Sequence, residues 1–324
     1  MDYQIIATLG PGSNSESIWE RMLQAGVTGF RVNTCHLSLP RLEAWIERLG
    51  TFLVPQNPRP ALVLDLQGSK WRLGQFPAFD LAEGQEVRLV CAASAEAPNV
   101  IPVPHPDFFQ AASLSSAEIV LNDGRIRFRL ESRAGNSLIA RVVAGGPILP
   151  QKGITYTAST YRQERLSETD RTILDRTHGT EGIRYALSYV KDADEMAHYR
   201  ALIGASAYLI GKVERQPAVD ETIEIAASAE EIWLCRGDLG AELGERGMAV
   251  SAHRFSERVA RVPVPVLLAG QVLEHMTEHP APTRSEVCQM YDALKRGYQG
   301  FVLSDETAIG RYPVESCRIA ALFR

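Results

Sequence analysis

The sequence predicts an α/β architecture, a (β/α)8 TIM barrel with a small inserted β-barrel lid domain, on three observations. Short, nearly continuous apolar runs recur along the 324 residues, the pattern of parallel strands covered on both faces. Stretches with helical spacing separate most of these runs. One long segment in the first half loses the helical period and reads as closely spaced strands and turns.

The strand runs fall at residues 4–9, 29–33, 61–66, 182–188, 207–212, 231–235, 264–268 and 300–303. After the first, Ser17-Ile18-Trp19-Glu20 reads as a capping box that opens a helix, with Met22 and Leu23 on its buried side and Gly26 as its stop. Helical spacing returns over 193–205 and over 285–296, the latter ending at Gly297. Strands alternating with helices close naturally as a barrel. An open doubly wound sheet, or a barrel of fewer strands, would leave the same pattern.

The exceptional segment, 70–156, holds strand-like pieces at 86–91, 118–121, 126–131 and 137–143. Turn signals separate them at Asn122-Asp123-Gly124 and Gly145-Gly146-Pro147. The expected division is therefore a barrel over 1–69 and 157–324 with a β domain inserted over 70–156. An insertion after the third barrel strand sits at the catalytic end, where it can serve as a lid. A decorative or oligomerising insertion would read the same way.

The net charge of -5 and a sequence pI near 5.9 exclude the basic surplus of a nucleic-acid binder. No apolar stretch approaches the ~18 residues of a membrane span, and no signal peptide precedes the first strand. Cys35, Cys91, Cys235, Cys288 and Cys317 show no metal-ligand spacing, which suits reduced thiols. A cytoplasmic protein acting on small molecules, as a monomer or a homo-oligomer, is expected.

Barrel active sites gather at the C-terminal ends of the strands. Here those ends carry Gly10-Pro11, Arg31, Asn33, Asp65, Ser188, Lys212, Glu214, Arg236-Gly237-Asp238, Gln271 and Ser304. Glu214 and Asp238 are two carboxylates of the kind that, with substrate oxygens and waters, suit Mg2+ or Mn2+. Paired with cations they would be solvated salt bridges instead. Lys212 and Glu214 are two residues apart on a strand and point the same way. The lysine either stabilises charge on a transferring group or forms a structural ion pair. Glycines in Arg236-Gly237-Asp238-Leu239-Gly240 let backbone N–H groups approach an anion, as they would also permit an ordinary strand-to-helix turn. Arg31 and Arg72 add fork-shaped donors for phosphate or carboxylate.

Taken in order, these segments resemble the pyruvate kinase family across nearly the whole chain. The resemblance rests on Ala7-Thr8-Leu9-Gly10-Pro11, Arg31-Val32-Asn33-Thr34-Cys35-His36, Asp65 through Gly74, and Lys152-Gly153. It continues through Ala186-Leu187-Ser188-Tyr189-Val190, Lys212-Val213-Glu214 and Arg236 to Gly240. Pro282-Thr283-Arg284-Ser285-Glu286 and Glu306 to Pro313 complete it. The resemblance implies phosphoryl transfer between phosphoenolpyruvate and ADP, giving pyruvate and ATP. It implies Glu214 and Asp238 as ligands of the divalent metal and Lys212 as the stabiliser of the transferring phosphoryl. Arg31, with the amides around Gly237 and Asp238, would hold phosphoenolpyruvate. Asn33, His36, Arg72 and Lys152 would face the nucleotide phosphates.

Three departures from the family pattern carry expectations of their own. The chain stops at Arg324, so the family's C-terminal regulatory domain, with its effector site, is expected to be absent. Gly270 replaces a threonine that assists proton delivery to the enolate, a loss of about 10²–10⁴-fold in rate that Ser304 could partly offset. Cys35, Leu66 and Lys70 stand where K+-requiring members carry oxygen ligands and a glutamate; Lys70 would replace the monovalent cation, and K+ would not be required. Two other functions fit the same residues. One is a metal-dependent lyase or decarboxylase acting on a 2-keto acid or enolpyruvate; the other is a non-catalytic phosphoenolpyruvate-binding protein.

Overall fold

The computed structural model describes residues 1–68, 70–112, 118–121, 124–157 and 166–324, and of His36 the backbone alone. Two compact units make up the chain: residues 1–68, 166–236 and 251–324 in one, and 69–165 with 237–250 in the other.

The first unit is a closed eight-stranded parallel barrel. Its strands are β1 (Gln4–Leu9), β2 (Gly29–Asn33) and β3 (Ala61–Leu66), joined by β12 (Ile183–Leu187) and β13 (Tyr208–Val213). The circle is completed by β14 (Glu231–Cys235), β15 (Val266–Ala269) and β16 (Gly300–Leu303), which pairs back onto β1. Closure excludes the open sheet. Apolar continuity has the expected cause, since all six positions of β3 and all five of β14 are buried. Ile6, Val63, Ala186, Ile210, Trp233, Leu267 and Val302 fill the interior in layers. At the N-terminal end the buried Glu231 carboxylate plugs the barrel, accepting bonds from Trp233 Nε1 at 2.5 Å, Tyr208 Oη at 3.1 Å and Gln4 Nε2 at 3.1 Å.

Helix ends follow local chemistry, with one correction. The first helix spans Glu16–Gln24 and is capped by Ser15, whose Oγ accepts from Ile18 N at 3.4 Å, so the expected start at Ser17 is two residues late. Trp19 explains the shift: its indole N–H reaches Ser13 O at 2.6 Å and the ring is fully buried, which draws the chain into the helix early. Leu23 is only half-buried, while Trp19 and Met22 form the buried face. Later helices obey their signals. Arg284–Arg296 opens with a Thr283–Glu286 capping box and closes at Gly297 in the left-handed region.

The second unit holds β4 (Phe79–Leu81), β5 (Glu86–Val90), β6 (Val100–Pro102), β7 (Glu118–Leu121), β8 (Ile126–Ala134) and β9 (Ser137–Ala144). With β10 (Gly146–Ile148) and β11 (Ile154–Tyr156) these form a six-stranded sheet, β11-β7-β8-β9-β5-β6, and a two-stranded one, β10-β4. Its core is built around Trp71, Phe108 and Tyr156, the last two stacked with ring centroids 4.7 Å apart. The expected turn at Gly145-Gly146-Pro147 is instead the start of β10. A Cβ on Gly145 would lie 2.1 Å from Leu81 O, so glycine there serves close strand approach. Asn122 and Asp123 of the other expected turn lie outside the described residues. Among the described residues no helix is long and apolar enough to cross a membrane.

Candidate active site

Asp65 near the end of β3 is the hub of the barrel's polar cluster. A carboxylate inside an otherwise apolar strand must be paired to be tolerated, and two cations from neighbouring strands do this. Arg31, on β2, donates from Nε to Asp65 Oδ2 at 2.7 Å, adds a second contact from Nη2, and donates from Nη1 to Thr8 Oγ1 at 2.8 Å. Lys212, on β13, places Nζ 3.1 and 3.2 Å from the two Asp65 oxygens, 2.7 Å from Ser188 Oγ and 2.9 Å from Glu214 Oε1. Ser188 Oγ in turn donates to Asp65 Oδ1 at 3.0 Å. The second Glu214 oxygen accepts the Tyr189 N–H at 2.7 Å. Asp65, Glu214, Lys212 and Ser188 are all buried.

Electrostatics fixes the charge state of this cluster. Burial raises the Asp65 carboxyl, but Arg31 and Lys212 outweigh it and hold the group below the usual carboxylate range. Burial likewise works against the Lys212 ammonium, yet Asp65 and Glu214 leave it above an ordinary lysine. The Cys235 thiol, buried beside the cluster, is pushed well above its usual value by desolvation and by Glu214. Lys212 is thus a permanent cation, and Cys235 a neutral thiol, across the neutral range.

Loop geometry beyond the strands is equally specific. Gly68 has φ 62°, and a Cβ on it would lie 1.8 Å from Ser188 O, so only glycine permits this approach. Tyr189, with φ 63°, holds the left-handed conformation that turns its amide toward Glu214. Gly270 also has a positive φ, 79°, and its carbonyl accepts from Arg236 Nε at 3.0 Å and Nη2 at 2.6 Å. Ser304 and Leu273 donate backbone N–H groups to the fully buried Glu306 carboxylate at 2.6 and 2.8 Å. One acid therefore ties the loop that holds Gly270 to the loop that holds Ser304.

The expected site residues are distributed as follows. Arg31, Lys212 and Glu214 come together in the barrel. Asn33 lies at the end of β2 with Oδ1 capping its own turn, accepting from Cys35 N at 3.2 Å and Cys35 Sγ at 2.9 Å. The His36 side chain lies outside the described residues. In the second unit Lys70 Nζ contacts Asp238 Oδ1, and Arg72 Nη1 donates to Gln151 O at 3.2 Å. Arg72 also bridges Gly153, and Leu73 N donates to Lys152 O at 2.9 Å. Lys70 thus pairs with Asp238, and its stem lies against Gly153, the residue that Arg72 bridges and that follows Lys152. Gly237 and Asp238 open the helix Arg236–Ser256, which is broken at Gly244. Among the described residues no group of three or more His, Cys, Asp or Glu could hold a metal. Thr8 and Ser188 are partners that sequence reasoning left without a role, and so is Asp65. Their signal was readable: a lone acid within the apolar run ALVLDL.

A (β/α)8 barrel whose strand ends hold an ammonium between two carboxylates defines the class: an α/β barrel with a buried charged cluster at its strand ends. The chain belongs to the pyruvate kinase family, matching its barrel domain over residues 2–317. A pyruvate kinase of Agrobacterium vitis is 32% identical over 321 residues, covering 98% of this chain and 67% of its own length. A second from the same species is 31% identical, with 98% and 66% covered. That of Thermococcus litoralis is 31% identical over 325 residues, with 98% and 68% covered. The chain spans about two thirds of the length of these curated relatives.

Proposed function

We propose that this chain is a pyruvate kinase-like phosphotransferase, moving a phosphoryl group between phosphoenolpyruvate and ADP to give pyruvate and ATP. The observation that carries the reading is Lys212, a buried ammonium at a barrel strand end, held charged between Asp65 and Glu214. Its three hydrogens face four acceptor oxygens. The two longest contacts, both to Asp65, are the ones to yield when a phosphoryl oxygen approaches, and Asp65 keeps Arg31. Fixed charge of this kind contributes about 2.7–4 kcal/mol to a transition state.

Arg31, with the amides of Gly237 and Asp238, would hold the phosphate and carboxylate of phosphoenolpyruvate. Asn33, His36, Arg72 and Lys152 would face the nucleotide phosphates. In the reaction the enol oxygen–phosphorus bond breaks as an ADP oxygen bonds phosphorus, and the enolate then takes a proton at its methylene carbon. Gly270 offers no side-chain donor for that proton, which leaves Ser304 as the hydroxyl on this side. Glu214 and Asp238 would hold Mg2+ or Mn2+; carboxylate oxygens are the donors such hard cations prefer. A cation bound there would supply Lewis-acid neutralisation of the phosphoryl and enolate charge. Lys70 would provide positive charge in place of K+. The protein would act in the cytoplasm on small molecules, with no nucleic-acid or membrane partner.

A second reading, lyase or decarboxylase chemistry on a 2-keto acid, is favoured by Gly270 alone, since φ 79° there suits glycine and strains a β-branched relay residue. A lactate dehydrogenase-coupled assay separates the two. Pyruvate formed from phosphoenolpyruvate only when ADP is present, and lost in Lys212→Ala, supports the kinase. Release of pyruvate from oxaloacetate without nucleotide, in the absence of that activity, supports the second reading.

A further inference from the structure

Asp170 lies outside the cluster described above, yet it is fully buried. It sits at the third position of the helix Glu168–Thr177, where a carboxylate ordinarily only completes a capping box with Ser167. Here the same carboxylate does more. Oδ1 accepts the Gln67 N–H at 2.9 Å and Oδ2 the Gly68 N–H at 3.0 Å, while the bond from Ser167 N is the longest of the three at 3.4 Å. Gln67 and Gly68 follow β3 directly, two and three residues after Asp65. Gly68 is the residue whose backbone packs on the Ser188 carbonyl too closely for any Cβ. Ser188 then bonds Lys212 and Asp65, and its neighbour Tyr189 bonds Glu214.

We propose that Asp170 is a positioning residue: its carboxylate holds the Gln67–Gly68 backbone against Ser188, and so sets the place of the Lys212 ammonium. The role in turnover rests on the phosphotransferase reading. The physical link does not, because every contact in the chain of bonds lies within the barrel unit. A buried carboxylate facing three N–H donors keeps both oxygens as acceptors only in its native form. An amide in its place turns one oxygen into a donor that opposes a backbone N–H.

The experiment compares Asp170→Asn with Ser167→Ala. The latter removes the helix cap to Asp170 N, 3.0 Å long, and leaves the Gln67 and Gly68 bonds in place. In Asp170→Asn the amides of Gln67, Gly68 and Tyr189 are expected to lose hydrogen-exchange protection. Its kcat is expected to fall about 10–100-fold, the size of a misplacement near 1 Å, with KM for phosphoenolpyruvate within about twofold. Ser167→Ala is expected to keep that protection and a kcat within about twofold of the parent. Equal losses in the two variants would make Asp170 a helix cap and overturn the proposal, as would unchanged exchange at Tyr189 in Asp170→Asn. Should Asp170→Asn not fold, Asp170→Glu, which keeps two acceptors but displaces them, is read by the same exchange and kinetic criteria. A parent with no turnover of phosphoenolpyruvate would sink the kinase reading, while the exchange measurements would still judge the link from Asp170.

Discussion

Replacing Lys212 by methionine tests how the cluster is held together. The ammonium is buried, and three of its four contacts are to carboxylate oxygens. Asp65 would survive the loss, because Arg31 and Ser188 remain bonded to it. Glu214 would lose a buried counter-charge, the ammonium 2.9 Å from Oε1, while keeping the Tyr189 N–H at 2.7 Å. Removing one partner of a buried ion pair costs about 3–5 kcal/mol. Adding Glu214→Gln removes the negative charge that faced Lys212 while keeping shape, so the double variant is expected to recover more than half of that loss. Urea unfolding followed by tryptophan fluorescence measures both, because Trp233 is fully buried in the barrel interior. A single-variant cost below about 1 kcal/mol, or a double variant less stable than the single, would refute the pairing described here.

Further outcomes follow from the same geometry. Gly68→Ala is expected to cost about 3 kcal/mol or more, since φ 62° and a contact of 1.8 Å to Ser188 O leave no room for a Cβ; a thermal shift under 2 °C would contradict this. Gly270→Thr is expected to lower stability by about 1–3 kcal/mol through strain at φ 79° without raising turnover; a rate gain of orders of magnitude would show that the loop accepts the residue. The depressed Asp65 contributes stability above about pH 4, lost as pH falls through its lower folded value, and the raised Lys212 contributes below about pH 10, lost as pH rises through its higher one. The stability difference between the parent and the Lys212→Met, Glu214→Gln double variant is therefore expected to be flat from about pH 5 to 9, and a step within that window would contradict the charge assignment. Activity is expected within about twofold in K+ and in tetramethylammonium buffer, given the ammonium of Lys70 beside Asp238; many-fold stimulation by K+ would refute this.

The barrel was legible because burial on both faces leaves its strands nearly free of polar residues, so β1, β2, β3, β14 and β16 fall on their expected ranges. Helical spacing and the stop at Gly297 placed the helix at Arg284–Arg296 within a residue. It failed at Glu16–Gln24, where a long-range cause, the burial of Trp19 against Ser13 O, overrode a plausible local signal. Gly145 failed for the same kind of reason: its constraint is a neighbouring strand, invisible in a window of sequence. In the site, the periodicity argument put Lys212 and Glu214 on one side, and they meet at 2.9 Å. The central place of Asp65 and the bonds from Asp170 to Gln67 and Gly68 join residues 102 to 147 positions apart. No local pattern encodes such pairs.

The most direct test of the phosphotransfer claim is initial-rate formation of pyruvate from phosphoenolpyruvate, with and without ADP, in Mg2+ and in Mn2+. The expected result is turnover that needs both ADP and a divalent ion, with ATP formed in equal amount, falling about 10²–10³-fold in Lys212→Ala. Pyruvate formed without ADP, or a Lys212→Ala rate equal to the parent's, would contradict it.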